Sequence, residues 1–323
     1  MITRSDVARV AGETGFRSEV VEKVLRLHGI LDRLDRHEVT RGTWLLKGGT
    51  ALNLLHLDVS RLSVDIDINY VGSDDVEGMR QARPEFERAL TACCEREGCA
   101  VRRAPSEHAG GKFRLRYPSV LGGSQNLEVD VSYVARVPLW GRLRSMARFP
   151  PGSRLEVPTL TIDELAAGKF AALVQRSAVR DAFDAINLLD LAPDLLQRQP
   201  FRVAFICFVA GSRADARELR PFDDRFSDLM LERDLEPLLR RGLDAPQFHG
   251  GPLAVRIERE LAPVVERLLS WSPEERRFLD CLLDSGEIEA AALHADPDVQ
   301  ERIRRQPMLV WKANHVRERQ RTI

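Results

Sequence analysis

The spacing of hydrophobic residues changes along the chain from helical periodicity to alternation and back to helical periodicity. Between residues 5 and 36, apolar side chains recur every three to four positions, which predicts helix. Four later segments alternate between apolar and polar residues as half-buried strands do: residues 64–71, 99–103, 112–117 and 126–134. A helix is predicted over residues 78–97, and from residue 200 onward only helices are indicated. The pattern predicts an α+β protein with a mixed α/β half followed by an all-helical half.

Proline and glycine mark the break between the two halves. Pro150-Pro151-Gly152 and Pro158 precede a helix that begins at Thr161, where Thr161-Ile162-Asp163-Glu164 has the Thr-x-x-Glu form of a capping box. The length of 323 residues also favours about two domains. We therefore predict a domain with N-terminal helices and a sheet over residues 1–155, and a helical domain over residues 156–323.

Composition and charge favour an intracellular globular protein. The chain is 44% hydrophobic and 30% charged, with a formal net charge of −1. It has no apolar run of about 18 residues and no apolar signal segment near its start. We predict a cytoplasmic protein without membrane association.

The cysteines fit the same compartment. Their number is five, and none are paired as C-x-x-C, so a reducing cytoplasm is the simplest environment. A zinc site built from Cys93, Cys94, Cys99 and His108 would match no common ligand spacing. Buried thiols on a helix are the favoured interpretation.

Candidate chemistry is concentrated in residues 44–69, WLLKGGTALNLLHLDVSRLSVDIDIN. The turn Gly48-Gly49-Thr50 allows the backbone to approach a phosphate closely. In an extended strand, Asp65 and Asp67 point to one face and Ile66 to the other. Two carboxylates on one face suit Mg²⁺ (or Mn²⁺), which takes one or two carboxylates together with substrate phosphates. The segment predicts a site for a nucleoside triphosphate and its metal; the alternative is a pair of solvated aspartates at a strand end.

A third carboxylate is available on the strand predicted over residues 126–134. Alternation places Glu128 and Asp130 on the same strand face. If this strand neighbours that of Asp67, one of them can complete a metal site or accept a proton from an attacking hydroxyl. Asp130 is our preferred residue for this role and Glu128 is the competitor.

Two residues just before the aspartate pair are further candidates. Arg61 is positioned to hold a phosphate or to orient the glycine turn. The alternative interpretation is that Arg61 forms an ion pair with Asp58. Ser63 shares the strand parity of Asp65 and is a candidate hydrogen-bond donor to substrate. Its alternative is a solvated hydroxyl at the strand entry.

The segment from residue 163 to residue 190 is predicted to be one helix with a cationic stripe. At about 100° per residue, Lys169, Arg176 and Arg180 point in nearly the same direction. A triphosphate would compensate these charges, and Lys169 is the best single candidate for a phosphate contact. Asp181 and Asp184 offer an internal alternative.

Together these motifs resemble a known family. KGGTAL, then R-x-S-x-D-I-D, then E-L-x-x-x-K with a downstream R-x-x-x-R-D-x-x-D, is similar to the AbiEii-type nucleotidyltransferases, which include the mycobacterial MenT toxins. The resemblance covers roughly residues 20–200 well and the remainder loosely. It implies a DNA polymerase β-like nucleotidyltransferase fold with a small mixed sheet and a helical partner domain.

The resemblance also implies roles for individual residues. Gly49 and Thr50 match the nucleotide-cradling turn, and Asp65 and Asp67 match the metal-binding pair. Lys169 matches the lysine expected near the triphosphate. Asp181 matches a later acidic residue associated with activity.

The function that follows is Mg²⁺-dependent transfer of a nucleoside monophosphate from an NTP to an acceptor. The resemblance implies a toxin with a cognate antitoxin, and a tRNA 3′ end as the acceptor. Basic residues, clustered over residues 102–116 and more strongly over residues 302–321, are candidates for contacts with an RNA backbone. Transfer to a small molecule or a protein is one alternative, and a nucleotide-binding regulator without turnover is another.

Overall fold

A seven-stranded mixed sheet dominates the first of two compact units in the computed structural model. The structure describes residues 2–57, 61–103, 110–221, 230, 233–241 and 255–322. The strands are β1 (Trp44–Leu46), β2 (Ile66–Tyr70), β3 (Ala100–Arg103), β4 (Gly110–Pro118), β5 (Ser124–Ser132), β6 (Leu143–Met146) and β7 (Glu156–Thr159). Their order across the sheet is β3-β4-β5-β2-β1-β7-β6. The α+β class predicted from the sequence is confirmed.

The order of the strands brings distant segments side by side at the centre of the sheet. β2 lies between β1, which is antiparallel to it, and β5, which is parallel to it. β4 and β3 continue the sheet beyond β5 with antiparallel pairing. The parallel pairing of β2 and β5 is the contact that aligns the two acidic strands.

Alternation along β2 separates a buried face from a polar one. Ile66, Ile68 and Tyr70 are buried on one face, and the Tyr70 ring meets Phe86 edge to face with 5.1 Å between centroids. Phe86 belongs to the helix over Val76–Arg96, so this helix covers the apolar face. Asp67, at the intervening position, lies on the opposite face.

The helices of the first unit agree broadly with the predicted periodicity. They are α1 (Arg4–Thr14), α2 (Ser18–Arg36), α3 (Gly48–Ala51), which a π-helical turn over Leu52–His56 extends, and α4 (Val76–Arg96). The helical region predicted over residues 5–36 is interrupted, because Gly15 adopts a φ of 75° and ends α1. Cys93, Cys94 and Cys99 are buried free thiols, and burial raises the pKa of each. His108, the fourth group of the zinc hypothesis, lies outside the described residues.

Three strands were missed by the sequence analysis: β1, which has three residues, β6 and β7. β6 and β7 pair with each other, and β7 also pairs in parallel with β1. Each has four residues, too few for a clear alternation, and β7 contains Pro158, which removes a backbone donor from a strand. The segment interpreted as a break is therefore part of the sheet.

Helices are the only regular secondary structure in the part of the second compact unit that the structure describes. It contains α5 (Ile162–Arg176), α6 (Val179–Leu191), α7 (Gln199–Ala210), α8 (Ala262–Leu268), α9 (Pro273–Asp280), α10 (Pro297–Arg304) and α11 (Pro307–Thr322). The two units comprise residues 1–136, 142–160 and 236–245, and residues 137–141, 161–235 and 246–323. None of the described helices combines the length and the apolar character that a membrane span requires.

Two local predictions for the second unit were wrong. The helix expected over residues 163–190 is interrupted at Ser177, which has a φ of 49°, so Lys169 and Arg176 lie on α5 but Arg180 lies on α6. The capping box at Thr161 is only half formed. The Thr161 hydroxyl accepts the Glu164 N–H, but the Glu164 carboxylate accepts the N–H groups of Leu139 and Trp140 instead of that of Thr161.

Candidate active site

The glycine turn lies directly against the second aspartate of the D-x-D pair. Gly48 has a φ of 67°, a conformation that residues with a Cβ adopt only at a cost. A Cβ at this position would lie 2.6 Å from Oδ2 of Asp67. The Lys47 N–H also donates to the Asp67 carbonyl at 2.9 Å. Two features therefore require glycine at position 48: the positive φ of the backbone and the close approach of the Asp67 carboxylate.

Thr50 connects the glycine turn to the residues that precede β2. Its side chain is buried, and its hydroxyl contacts the Ser63 hydroxyl at 2.9 Å and donates to the Asp65 carbonyl. Asp65 lies at a bend immediately before β2, so it precedes the strand instead of lying within it. The two hydroxyls bind the protein itself and fix the position of Asp65 relative to the turn.

Asp67 and Asp130 are direct neighbours on parallel strands. The register of β2 and β5 pairs Asp67 with Asp130, and opposed residues of neighbouring strands share one face. Burial raises the pKa of Asp130, and the nearby charges of Asp67 and Glu128 raise it further, while Lys112 opposes them. Two carboxylates at paired positions of neighbouring strands repel each other unless a cation lies near both.

Lys112 distinguishes Glu128 from Asp130. Its ammonium lies 2.8 Å from Glu128 and 3.3 Å from Asp130, and Arg114 adds a contact of 3.4 Å to Glu128. The hydrogen bond from Lys112 lowers the pKa of Glu128. Glu128 is thus compensated by two cations, which leaves Asp130 as the carboxylate beside Asp67.

The donor chemistry of this strand face fits a hard divalent cation. Mg²⁺ prefers oxygen ligands and is commonly held by one or two carboxylates together with substrate phosphates. Asp67 and Asp130 supply two carboxylates from adjacent strands. Among the described residues, no three His, Cys, Asp or Glu side chains are gathered closely enough to hold a metal by themselves. The arrangement therefore matches a metal ion whose ligands come partly from the protein and partly from the substrate.

Arg61 is buried in the first unit. Its guanidinium donates to the Leu62 carbonyl at 3.2 Å, and its backbone forms an antiparallel bridge with Leu239. Asp58, the alternative partner considered from the sequence, lies outside the described residues. This placement lets Arg61 orient the segment that leads to Asp65.

Lys169 and Asp181 form a buried charge cluster in the second unit. The Lys169 ammonium lies 2.8 Å from Asp181 and 2.9 Å from Asp184, and all three side chains are almost fully buried. Arg176 adds a contact of 2.6 Å to Asp181. Burial alone would raise the pKa of Asp181, but Lys169 and Arg176 together lower it below its ordinary value. The internal compensation considered from the sequence is present, while Arg180 is exposed on α6.

The basic C-terminal region is only partly available to a partner. Lys312 on α11 is buried and donates to three carbonyls, those of Ser212, Arg213 and Ala214. Trp311 is 46% exposed, and its ring stacks on that of His315 with 5.5 Å between centroids.

Lys112 was missed as a site residue by the sequence analysis. It lies within the basic cluster over residues 102–116, but only the pairing of β4 with β5 shows that it faces Asp130. A residue opposite another across a hairpin has no fixed separation along the chain, so the sequence carries no direct signal of this contact.

Comparison with known proteins identifies the family. A family model described as nucleotidyl transferase AbiEii toxin, type IV TA system, matches residues 30–249. No curated protein matches the chain. Among solved structures it is similar to MenT4, a nucleotidyltransferase toxin from Mycobacterium tuberculosis H37Rv, with a TM-score of 0.56 and 17% identity over 96% of this chain and 99% of that one. At this identity the likeness shows a shared fold, whereas the family match spans more than half of the chain. The chain is a nucleotidyltransferase that belongs to the AbiEii toxin family of type IV toxin–antitoxin systems.

Proposed function

We propose that the protein transfers a nucleoside monophosphate from an NTP to the 3′ end of tRNA in a Mg²⁺-dependent reaction. The observation that carries the proposal is the register of Asp67 and Asp130, with the glycine turn against Asp67. A metal ion compensates the charge of a reacting triphosphate. Paired carboxylates bind such a metal, and the adjacent Gly48-Gly49 backbone lets the phosphates approach closely.

The residues of the first unit have distinct proposed roles. Asp65, Asp67 and Asp130 are the proposed ligands of Mg²⁺ or Mn²⁺, and because no three such side chains of the described residues are gathered closely enough to hold a metal by themselves, the substrate phosphates would complete the site. When bound, the metal would offset the charge of the triphosphate and of the departing pyrophosphate. Gly48 and Gly49 let the backbone approach the phosphates, and Thr50 with Ser63 holds Asp65 in place. The alternative role for Asp130, in place of metal binding, is to accept the proton of an attacking hydroxyl, and its raised pKa favours that proton transfer.

The roles proposed for the second unit rest on the family resemblance. Lys169 and Arg176 compensate phosphate charge, and Asp181 holds both cations in position. Arg180 is proposed as an additional phosphate contact. Because Lys169 and Asp181 are a buried ion pair, a loss of activity in their variants must be compared with a measurement of stability.

The tRNA acceptor is supported by the family and by the surface of the C-terminal helix. The exposed Trp311 ring, stacked on His315, offers a face on which an unpaired base can stack. Arginines of residues 302–321 supply positive charge for a phosphate backbone. Unpaired ends such as the tRNA 3′ terminus are the RNA features that proteins recognise in this way.

The proposal is tested by incubating the protein with each labelled NTP, Mg²⁺ and total tRNA. We expect one NTP to label tRNA, and Asp67→Asn and Asp130→Asn to abolish labelling. Glu128→Gln is the matched control, because Glu128 shares the strand and face of Asp130 but is already paired with Lys112; it should retain activity. Labelling that persists in Asp67→Asn would show that the metal site is elsewhere.

The same assay identifies the acceptor. If the labelled product survives ribonuclease, the acceptor is a protein or a small molecule and the tRNA proposal is wrong. Co-expression with the product of a neighbouring reading frame tests the antitoxin expected from the family. Growth arrest that depends on Asp67 and is relieved by that product would support the toxin role.

A further inference from the structure

Asn69 is a buried polar residue whose side-chain oxygen has no hydrogen-bonding partner among the described residues, and it lies on the strand that carries Asp67. Its side chain is 5% exposed, and its Oδ1 accepts no hydrogen bond within the part of the chain that the structure describes. An amide that folding removes from water without a replacement bond destabilises the protein. A ligand that supplies the missing bond is one reason why such a group is retained.

The position of Asn69 indicates which ligand this is. It lies two residues after Asp67 on β2, so both side chains are on the face opposite Ile68, about 7 Å apart along the strand. Its neighbours in the register, Leu45 and Ser132, leave the amide oxygen without a hydrogen bond. The Ser132 hydroxyl instead accepts the Ala135 N–H.

Lys47 is a second unassigned polar residue on this face. It has an extended conformation, with φ −140° and ψ −171°, and it continues the register of β1 so that it lies opposite Asp67. Among the described residues, Lys47 forms no ion pair, whereas Lys112 and Lys169 pair with carboxylates. It is only partly exposed, so it is not a fully solvated surface charge.

We infer that Lys47 and Asn69 bind the nucleotide, Lys47 through a phosphate and Asn69 through its nucleoside. The inference rests on the proposed function, because it places the phosphates beside Asp67. Lys47 directly follows β1 and lies opposite Asp67, which in turn pairs with Asp130, so the three side chains share the sheet face on which the phosphates are proposed to bind. Asn69 is one strand repeat away, at a distance that the sugar and base of the same nucleotide can span. Asn69 is then a specificity-determining residue and Lys47 is a general phosphate contact.

The first test separates a ligand contact from a structural role at Asn69. In Asn69→Leu, an amide with an unsatisfied oxygen is replaced by an apolar group of similar size. The melting temperature without ligand should therefore stay level or rise, while equilibrium NTP affinity, measured calorimetrically with Mg²⁺, should fall by about tenfold, as expected for one hydrogen bond. A lower melting temperature with unchanged NTP affinity would overturn the role of Asn69.

The second test uses inorganic tripolyphosphate, which has the phosphates but no nucleoside. Lys47→Met should weaken both NTP and tripolyphosphate by about tenfold or more, as expected for a charge-assisted contact. Asn69→Leu should weaken NTP but leave tripolyphosphate unchanged. Equal effects of Asn69→Leu on both ligands would exclude the nucleoside contact, and an unchanged tripolyphosphate affinity in Lys47→Met would exclude the phosphate contact.

A matched lysine serves as the control. Lys23 on α2 is also partly exposed and forms no ion pair among the described residues. Its neighbour Glu22 bonds Ser119 and Val120 in the turn at the far end of the β4–β5 hairpin from Lys112 and Asp130. Lys23→Met should leave both affinities unchanged.

The binding measurements also separate this inference from the proposed function. If the native protein binds NTP tightly and neither variant changes the affinity, only the roles of Lys47 and Asn69 are wrong. If the native protein binds no NTP in the presence of Mg²⁺, the proposed nucleotide site itself is wrong.

Discussion

Glu164 makes the stability of the protein dependent on pH in a direction opposite to that of most carboxylates. Its side chain is 4% exposed and accepts the N–H groups of Leu139 and Trp140, each at 3.2 Å. Burial raises its pKa from an ordinary value of 4.5 to about 7, although the two backbone amides and the charge of Arg302 oppose this shift. We therefore expect Glu164 to be protonated in the folded protein under mildly acidic conditions.

The sign and size of the effect follow from this difference. Between pH 4.5 and about 7, the folded protein holds a proton on Glu164 that the unfolded chain has released. The free energy of unfolding therefore falls as pH rises through this range. Above this range, the contribution of Glu164 to the free energy of unfolding no longer changes with pH. A pKa that rises from 4.5 to about 7 corresponds to a total loss of about 3 kcal/mol.

Comparison with Glu164→Gln isolates this contribution. Glutamine has nearly the same shape and no charge, so the other titrating groups cancel when the two proteins are compared at each pH. Urea unfolding between pH 4.5 and 8, followed by tryptophan fluorescence, should show wild-type stability falling by about 3 kcal/mol relative to the variant. A stability difference that does not change with pH would show that Glu164 ionises at its ordinary value and would refute the reasoning.

Two further predictions concern the glycine turn and the buried ion pair. Gly48→Ala should lower the free energy of unfolding by about 1–2 kcal/mol through its positive φ and should also abolish nucleotidyl transfer, because the new Cβ would meet Asp67. Gly42→Ala, at a φ of 76° with no atom within 4 Å of the added carbon, should carry the backbone cost and keep activity; equal activity of both variants would refute the steric argument. Lys169→Met should lower the free energy of unfolding by about 3–5 kcal/mol in urea, because it leaves its carboxylate partners buried without the ammonium. Lys112→Met, which breaks a half-exposed pair, should cost at most about 1 kcal/mol, and similar losses in both lysine variants would contradict the role of burial.

Local patterns predicted much of the fold because their signals lie within one element. Alternation gave β2 and β5 and assigned Asp67 and Asp130 to the polar face of each strand. It failed for β7, where four residues and one proline leave no pattern to detect. The end of α5 at Ser177 was also missed, because a serine with positive φ carries no glycine or proline signal.

Errors in the predicted contacts have a different physical origin. Thr161 and Glu164 have the spacing of a capping box, and the Thr161 half of the box is present. The carboxylate goes to Leu139 and Trp140, because two backbone amides more than twenty residues away offer more hydrogen bonds than one. Contacts between distant segments compete with local ones, and the sequence does not show which contact is favoured.

The choice between Glu128 and Asp130 shows what the register adds to the sequence. Both residues have the same parity on β5, so alternation alone treats them equally. Pairing with β4 places Lys112 opposite Asp130 and close to Glu128, and pairing with β2 places Asp67 beside Asp130. Glu128 contacts two cations, Lys112 and Arg114, whereas Asp130 shares Lys112 with Glu128 and also faces the negative charge of Asp67. Burial and this repulsion both raise the pKa of Asp130, and an added cation would relieve the repulsion. Asp130 has less compensation of its negative charge than Glu128, and we therefore propose Asp130 as the third metal ligand.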